Sequence, residues 1–595
     1  MGAILLATTH RAGAANNDRW LRVTAPEFTL ITSLPEKDAL AWTDEFSQFV
    51  GALQGFIPVD PRRLPRLTVV VFARERDYIG YRPLGADGKP KEAAGFFSRR
   101  ESWAVAGLSR DAMGEETQRT IFHEGTHWFL SAFEQPNPVW LEEGLAEVFS
   151  TFAVDRKKQK ISWGRAIDEH VATLQTIDPM PLERLLFLAQ DDLFTGGEEG
   201  SIRTGIAYAE SWAFVHYLTF GQRDVPPQSL MDYVRAMHSG MHPDEAFKQA
   251  FGHSYAEIDA KLRTYLNGGR YFVASKPLVP VAGLKAEPAT PAEVEDALAR
   301  LCLAGSRRPA ALEHAQKAVA ANGEGPLEYE LLGQVELENG DKNAALAAFA
   351  KAVEKGSHDF LPYFQLARAK HEDAVESDGS VRNLSSADAR AIANDYERAI
   401  NFRPRFRPAY QSLAGIVELV PPGNEQDKRF LELGRRLFPE DGMIHIGLAV
   451  LAKRAGDEAA ARQMLAEVLD PEKPLSLEAR GYAHRLEEFW QQGDANAQIE
   501  TLVKDKKYTE AIAVADQQVA GTADPMARRH WSEVRQNIAG MQRFDAVRAA
   551  WEARKWTEAR ALLNEILESD APAMLKLQAR TRLQELDRRG LGKAK

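Results

Sequence analysis

Apolar and polar positions change rhythm near the middle of the chain. Up to about residue 270 the signals are mixed. "RLTVVVFA" (66–73) is a short β-branched run bounded by Pro and Arg, the pattern of a buried strand. "AAGFFSRRESWAVAGL" (93–108) reads as a second strand or a hairpin. Helical spacing follows at 115–133, 138–152, 207–220 and 228–250. Strands first and helices afterwards predict an α+β domain over residues 20–274, behind a short tail at 1–19.

"SKPLVPVAGLKAEPATPAE" (275–293) carries four prolines and no helical period, and reads as a linker, or in its "LVPV" part as an extended strap. From 294 to 595 the chain is Ala-, Leu- and Glu-rich with helical spacing throughout. Tyr329, Leu332-Gly333, Gly340, Ala345, Phe349 and Ala352 form a pattern whose first members return 34 residues on as Tyr363 and Leu366-Ala367. It resumes at Tyr396, Ala399 and Pro404, then at Tyr410 and Leu413-Ala414. Fainter copies run through Leu448-Ala449, "KKYTEAIAVA" and "RKWTEARALL". This resembles the tetratricopeptide (TPR) repeat. The resemblance implies stacked helical hairpins in an all-α superhelix that recruits a protein partner. Past residue 480, degenerate hairpins fit the pattern as well as true repeats do.

Length and composition bound the rest. At 595 residues the chain exceeds one hydrophobic core. A net charge of -11 disfavours nucleic acid as a partner. No apolar run reaches the length of a transmembrane helix. One cysteine, Cys302, excludes an intrachain disulfide and leaves any metal to His, Asp or Glu. The opening "AILLATT" with "RAGAANND" reads either as a cytosolic start or as the remnant of an export signal, and leans to the second.

The candidate chemistry lies in "RTIFHEGTHWFL" (119–130). On a helix, His123 and His127 share a face one turn apart, so both imidazoles can reach one zinc ion. Glu124 stands beside that face, placed to act as the general base. Gly125 is out of character inside a helix and suggests close approach of another element. Next comes "QPNPVWLEEGLAEVFS", where Asn137 can cap a helix that has Pro138 in its first position. Glu143 and Glu147 share a face of that helix. A short turn can bring Glu143 toward the histidine pair and leave Glu147 one turn behind, able to accept from a ligand imidazole.

HExxH followed by "WLEEGLAE" is similar to the gluzincin metallopeptidases, in which the glutamate before that glycine is the third zinc ligand. The resemblance nominates Glu143 over Glu142. It is nearest to the bacterial peptidase-MA-like group, including the DUF1570 type joined to TPR repeats, and covers roughly residues 20–225. "YAESWAFVHYL" (208–218) looks like that group's tyrosine helix, which by resemblance makes Tyr208 the donor to the oxyanion. The chain lacks the G-x-M-E-N signature of gluzincin aminopeptidases, so aminopeptidase specificity is disfavoured. The expectation is a zincin-like zinc peptidase acting on a peptide or protein, with a TPR domain attached. The alternative is a peptidase-like scaffold without turnover. His170, His216, His238 and His253 lack ligand spacing and read as structural, and Arg99 and Arg100 as a solvated pair beside an edge strand.

Overall fold

The computed structural model describes residues 20–592 apart from 112–113, 134–136, 178, 189–197, 222–224, 227, 240, 375–383, 422–424, 474 and 523. The tail at 1–19 lies outside the described residues. The chain divides into two compact units, Met1–Ala409 and Tyr410–Lys595.

The first unit is built on a mixed sheet. Its strands are β1 (Leu21–Thr24), β2 (Phe28–Thr32), β3 (Arg66–Phe72), β4 (Gly95–Arg99), β5 (Trp103–Ser109) and β9 (Ala286–Pro288). They lie in the order β4-β5-β3-β2-β1-β9. β2, β3 and β5 run parallel, and β1, β4 and β9 are antiparallel to their neighbours. Both faces of the central strands are covered, which explains why "LTVVV" reads as a continuous apolar run. Leu67, Val69 and Val71 of β3, with Ala104, Ala106 and Leu108 of β5, enter one core. On that side lie helix Glu36–Phe56, the histidine helix (Glu115–Leu130), the glutamate helix (Val139–Ser150) and the tyrosine helix (Glu198–His216). Val70, Phe72, Trp103 and Val105 alternate to the other face.

That second face is covered by residues the sequence assigns to the repeat region. Leu298, Leu301 and Cys302 of helix Pro291–Ala304 pack there, with Ala311 and Ala315 of helix Arg308–Ala321 and Leu331 and Val335 of helix Leu327–Asn339. Gly107 of β5 lies directly under Leu301, whose Cδ1 would stand 2.3 Å from a Cβ at that position. The segment 275–293 is accordingly more than a linker. β8 (Ala274–Pro277) completes a three-stranded antiparallel sheet with β6 (Ala153–Asp155) and β7 (Lys160–Trp163), and β9 adds to the edge of the large sheet. Pro277 and Pro288 fall on edge strands, where a missing N–H leaves no ladder bond unmade.

Two further expectations change. The helix at 228–250 is two helices, Ser229–His238 and Pro243–Phe251. Pro243 takes the first position of the second, and His242 before it is extended. Pro138 stands at the N-cap position of the glutamate helix with no side-chain cap bond, and Asn137 instead donates its amide to Glu142 Oε1 at 3.2 Å.

From residue 291 the first unit continues as hairpins. In helices Leu327–Asn339 and Lys342–Glu354 a Cβ on Gly333 would come within 2.5 Å of the Phe349 ring. The small residue of the repeat pattern is thus where the Phe349 ring seats against the neighbouring helix. Gly340 closes the first helix with φ +86°, a left-handed cap that suits glycine. The second unit is all helical in its described residues, each helix packing on the next from Glu425–Leu437 to Ala573–Arg588. Gly447 there abuts Ala414, and Gly434 the Tyr410 ring. Its helices Leu477–Lys504 and Pro525–Glu552 run 28 residues each, far beyond the helices of the 34-residue pattern.

Candidate metal centre

The histidine helix opens with Glu115 and Glu116 in its first turn, where carboxylates favour the positive end of the helix dipole. Ile121, Phe122, Phe129 and Leu130 anchor it in the core. Gly125 faces helix Glu36–Phe56, where a Cβ would press to 3.0 Å from the Phe49 ring. Its place in HEGTH therefore follows from aromatic packing. Gly144 has a stronger reason. A Cβ there would meet the Ser211 carbonyl at 2.4 Å and Val215 Cγ2 at 2.5 Å, so glycine lets the glutamate helix lie directly on the tyrosine helix. Gly144→Ala is expected to destabilise the unit by about 3 kcal/mol through overpacking against backbone, read as a lower urea midpoint at unchanged slope.

These helices bring three side chains to one point. His123 Nε2 and His127 Nε2 are 3.2 Å apart, and Glu143 Oε2 lies 3.5 Å from the first and 3.4 Å from the second. A tetrahedral zinc site with bonds near 2.0–2.2 Å spaces its ligand atoms about 3.3 Å apart, so the triangle matches such an ion. Glu143 is buried, and its Oε2 has no hydrogen bond of sound geometry among the described residues. Among the described residues this trio is also the one group of His, Cys, Asp or Glu with the clustering of a metal site. The donor set fits zinc: two imidazoles, which ligate once they give up the proton on Nε2, and one carboxylate.

The residues behind the trio set its electrostatics. His123 Nδ1 lies 3.3 Å from Glu147 Oε1, so that ring edge faces the carboxylate and Nε2 faces the trio. Burial works against charge on His123, yet contacts with Glu143 and Glu147 outweigh it and hold the imidazole up at about 10. Burial likewise opposes ionisation of Glu143 and Glu147, but the imidazoles beside them keep both well below the usual carboxylate range. The centre therefore favours a cation among its carboxylates. His127 Nδ1 stands 4.0 Å from Glu142 Oε2, so Glu142 faces the back of that ring and not the trio.

Tyr208 reaches the same place from the tyrosine helix, its ring 6.1 Å from that of His123. Burial, then the charges of Glu143, Glu124 and Glu147, push its phenol above the ordinary value, so it keeps a proton to donate. Glu124 sits in the histidine helix next to His123, near enough for its charge to bear on Tyr208.

Sequence reasoning missed two participants. His170, on helix Asp168–Thr176, places Nε2 3.2 Å from Glu147 Oε2, and Arg119 stands 3.7 Å from the same oxygen. No local spacing signals either one. His216 is structural as expected: fully buried, with Nε2 2.8 Å from the Gly164 carbonyl and Nδ1 2.9 Å from the Tyr265 hydroxyl. Arg99 is exposed, as a solvated residue would be, whereas Arg100 is part-buried. Arg99 donates to the His127 carbonyl at 3.2 Å, and Arg100 is bonded to Glu338.

Glu210, two residues past Tyr208, is buried beside Leu174, Leu182 and Leu262 and accepts the Met180 N–H at 2.6 Å. Burial pushes its carboxyl up to about 8. The folded state thus holds a proton there that the unfolded chain loses near pH 4.5, and the stability it contributes fades as pH rises through 8. Glu210→Gln should match the native chain in thermal melts at pH 5 and exceed it at pH 9, by on the order of 3 kcal/mol.

Residues 117–239, which carry most of the histidine helix, the glutamate helix, His170 and Tyr208, match the family model described as "Protein of unknown function (DUF1570)". The match leaves the large sheet outside. No curated protein matches the chain. Among solved structures the chain is similar to YrrB, titled "a TPR protein with an unusual peptide-binding site", at 16% identity and TM-score 0.25, covering 31% of this chain and 90% of that one. It is similar to TTC0263, a thermophilic TPR protein of Thermus thermophilus, at 19% identity and TM-score 0.20, covering 33% and 97%. MamA from Desulfovibrio magneticus matches at 15% identity and TM-score 0.23, over 30% and 94%.

Proposed function

We propose that the first unit is a zincin-like, zinc-dependent peptide-bond hydrolase of gluzincin type, and that the helical hairpins bind the protein it acts on or with. The observation that carries the reading is the triangle of His123 Nε2, His127 Nε2 and Glu143 Oε2, sized for one tetrahedral ion. When bound, zinc supplies Lewis acidity toward the scissile carbonyl and a water acidified to a pKa of about 7. Glu124 takes the proton of the attacking water and returns it to the leaving amine. Tyr208, protonated and close to His123, donates to the oxyanion as it forms. Glu147 fixes the tautomer of His123 so that Nε2 remains a ligand.

A second reading is an interaction scaffold whose metal centre does not turn over. It draws on the hairpins, which run from Pro291 almost to the end of the chain and make up about half of it. Stacked hairpins offer extended surfaces for a peptide or helix. One comparison separates the two. The zinc-reconstituted full-length chain and Glu124→Gln are incubated with a quenched-fluorophore peptide library while bound zinc is measured. The hydrolase reading expects cleavage that falls at least about a thousandfold in Glu124→Gln with zinc retained. Zinc retained in both with no cleavage by either leaves the scaffold reading.

A further inference from the structure

Glu147 is gripped from two sides. Its Oε1 faces His123 Nδ1 at 3.3 Å, and its Oε2 faces His170 Nε2 at 3.2 Å. His170 Nε2 and Glu147 Oε2 are both buried without a hydrogen bond of sound geometry among the described residues, so their 3.2 Å approach is a polar contact between two atoms that make no other hydrogen bond there. Arg119 adds charge to the same oxygen from 3.7 Å while its other arm lies 3.6 Å from Glu169. The His170 ring is largely enclosed and packs 5.9 Å from that of Trp212, one turn beyond Tyr208 on the tyrosine helix. Helix Asp168–Thr176 thereby reaches the back of a centre whose other parts all come from the histidine, glutamate and tyrosine helices.

We propose that His170 is a positioning residue of the metal centre: through Nε2 on Glu147 Oε2 it fixes the carboxylate that orients His123, and so raises the affinity for zinc. The inference rests on the metal centre of the hydrolase reading. The physical ground is that a buried carboxylate with one oxygen unpartnered can rotate toward any other donor, and a ligand imidazole follows the group that holds its Nδ1–H. Partners behind a ligand commonly change metal affinity about 10- to 100-fold. His170 acts one step further back, so the lower end of that range is expected.

The test is a titration of the full-length apo chain with zinc against a chromophoric chelator, for the native chain, His170→Ala, His170→Gln, Glu147→Ala and the double variant His170→Ala/Glu147→Ala. Melting temperatures of the apo forms are recorded alongside. The expected result is about tenfold weaker binding in His170→Ala and near-native binding in His170→Gln, whose amide nitrogen can replace Nε2. The effect of His170→Ala should vanish in the Glu147→Ala background, because the residue acts through that carboxylate. Equal affinity of the native chain and His170→Ala overturns the proposal. Equal losses with and without Glu147, tracking a fall in apo melting temperature, also overturn it by assigning His170 to packing alone. A native chain that takes up no zinc overturns the metal centre itself, and this inference with it.

Discussion

A chain ending at residue 290 is expected to lose its cooperative unfolding transition. The cut removes helices Pro291–Ala304, Arg308–Ala321 and Leu327–Asn339, and with them Leu298, Leu301, Cys302, Leu331 and Val335. Ile31, Val70, Phe72, Trp103 and Val105 of the central strands would then face water. Each such side chain contributes roughly 1.5–3 kcal/mol when fully buried, so the five amount to about 10 kcal/mol. That equals the whole stability of an ordinary domain. Polar anchors go as well, since Trp103 Nε1 donates to Gln334 at 2.7 Å and Arg66 pairs with Glu330 and Asp359. A chain ending at residue 409 keeps all of these and is expected to melt as one cooperative unit. Circular dichroism melts with a hydrophobic dye compare the two, and a sharp dye-silent transition from the 290 truncation would contradict this account of the sheet.

Glu143→Ala is expected to lower zinc affinity on the order of a thousandfold or more, since loss of a direct ligand exceeds the roughly 10- to 100-fold cost of losing a partner behind one. The neighbouring Glu142→Ala is the discriminating control. Glu142 approaches His127 at Nδ1, 4.0 Å away, and has no place in the triangle. Its loss should weaken zinc by about tenfold at most. Competition with a chelator of known affinity measures both. The reverse order would put Glu142 in the ligand set.

Much of this was legible in the chain because the relevant partners lie close in sequence. His123 and His127 are one helical turn apart, and a short turn to the glutamate helix can bring its acidic face near, though the choice of Glu143 over Glu142 came from the resemblance and not from spacing. The repeat pattern was legible for the same reason, since Gly333 and Phe349 meet across a hairpin. What spacing could not carry was long-range. Nothing in "DEHVATLQT" says that His170 backs Glu147, and nothing in the apolar run "LTVVV" says which segment covers its second face. Prolines in 275–293 signalled irregular chain, yet edge strands accept proline as readily as linkers do, so β8 and β9 were hidden.

The most direct measurement is an anomalous-difference map from crystals of the zinc-reconstituted full-length chain, collected on both sides of the zinc absorption edge. The account predicts one strong peak about 2.0–2.2 Å from His123 Nε2, His127 Nε2 and a Glu143 carboxylate oxygen, with a fourth position open to solvent. No peak between the histidine and glutamate helices, or one closed by a fourth protein ligand, would contradict it.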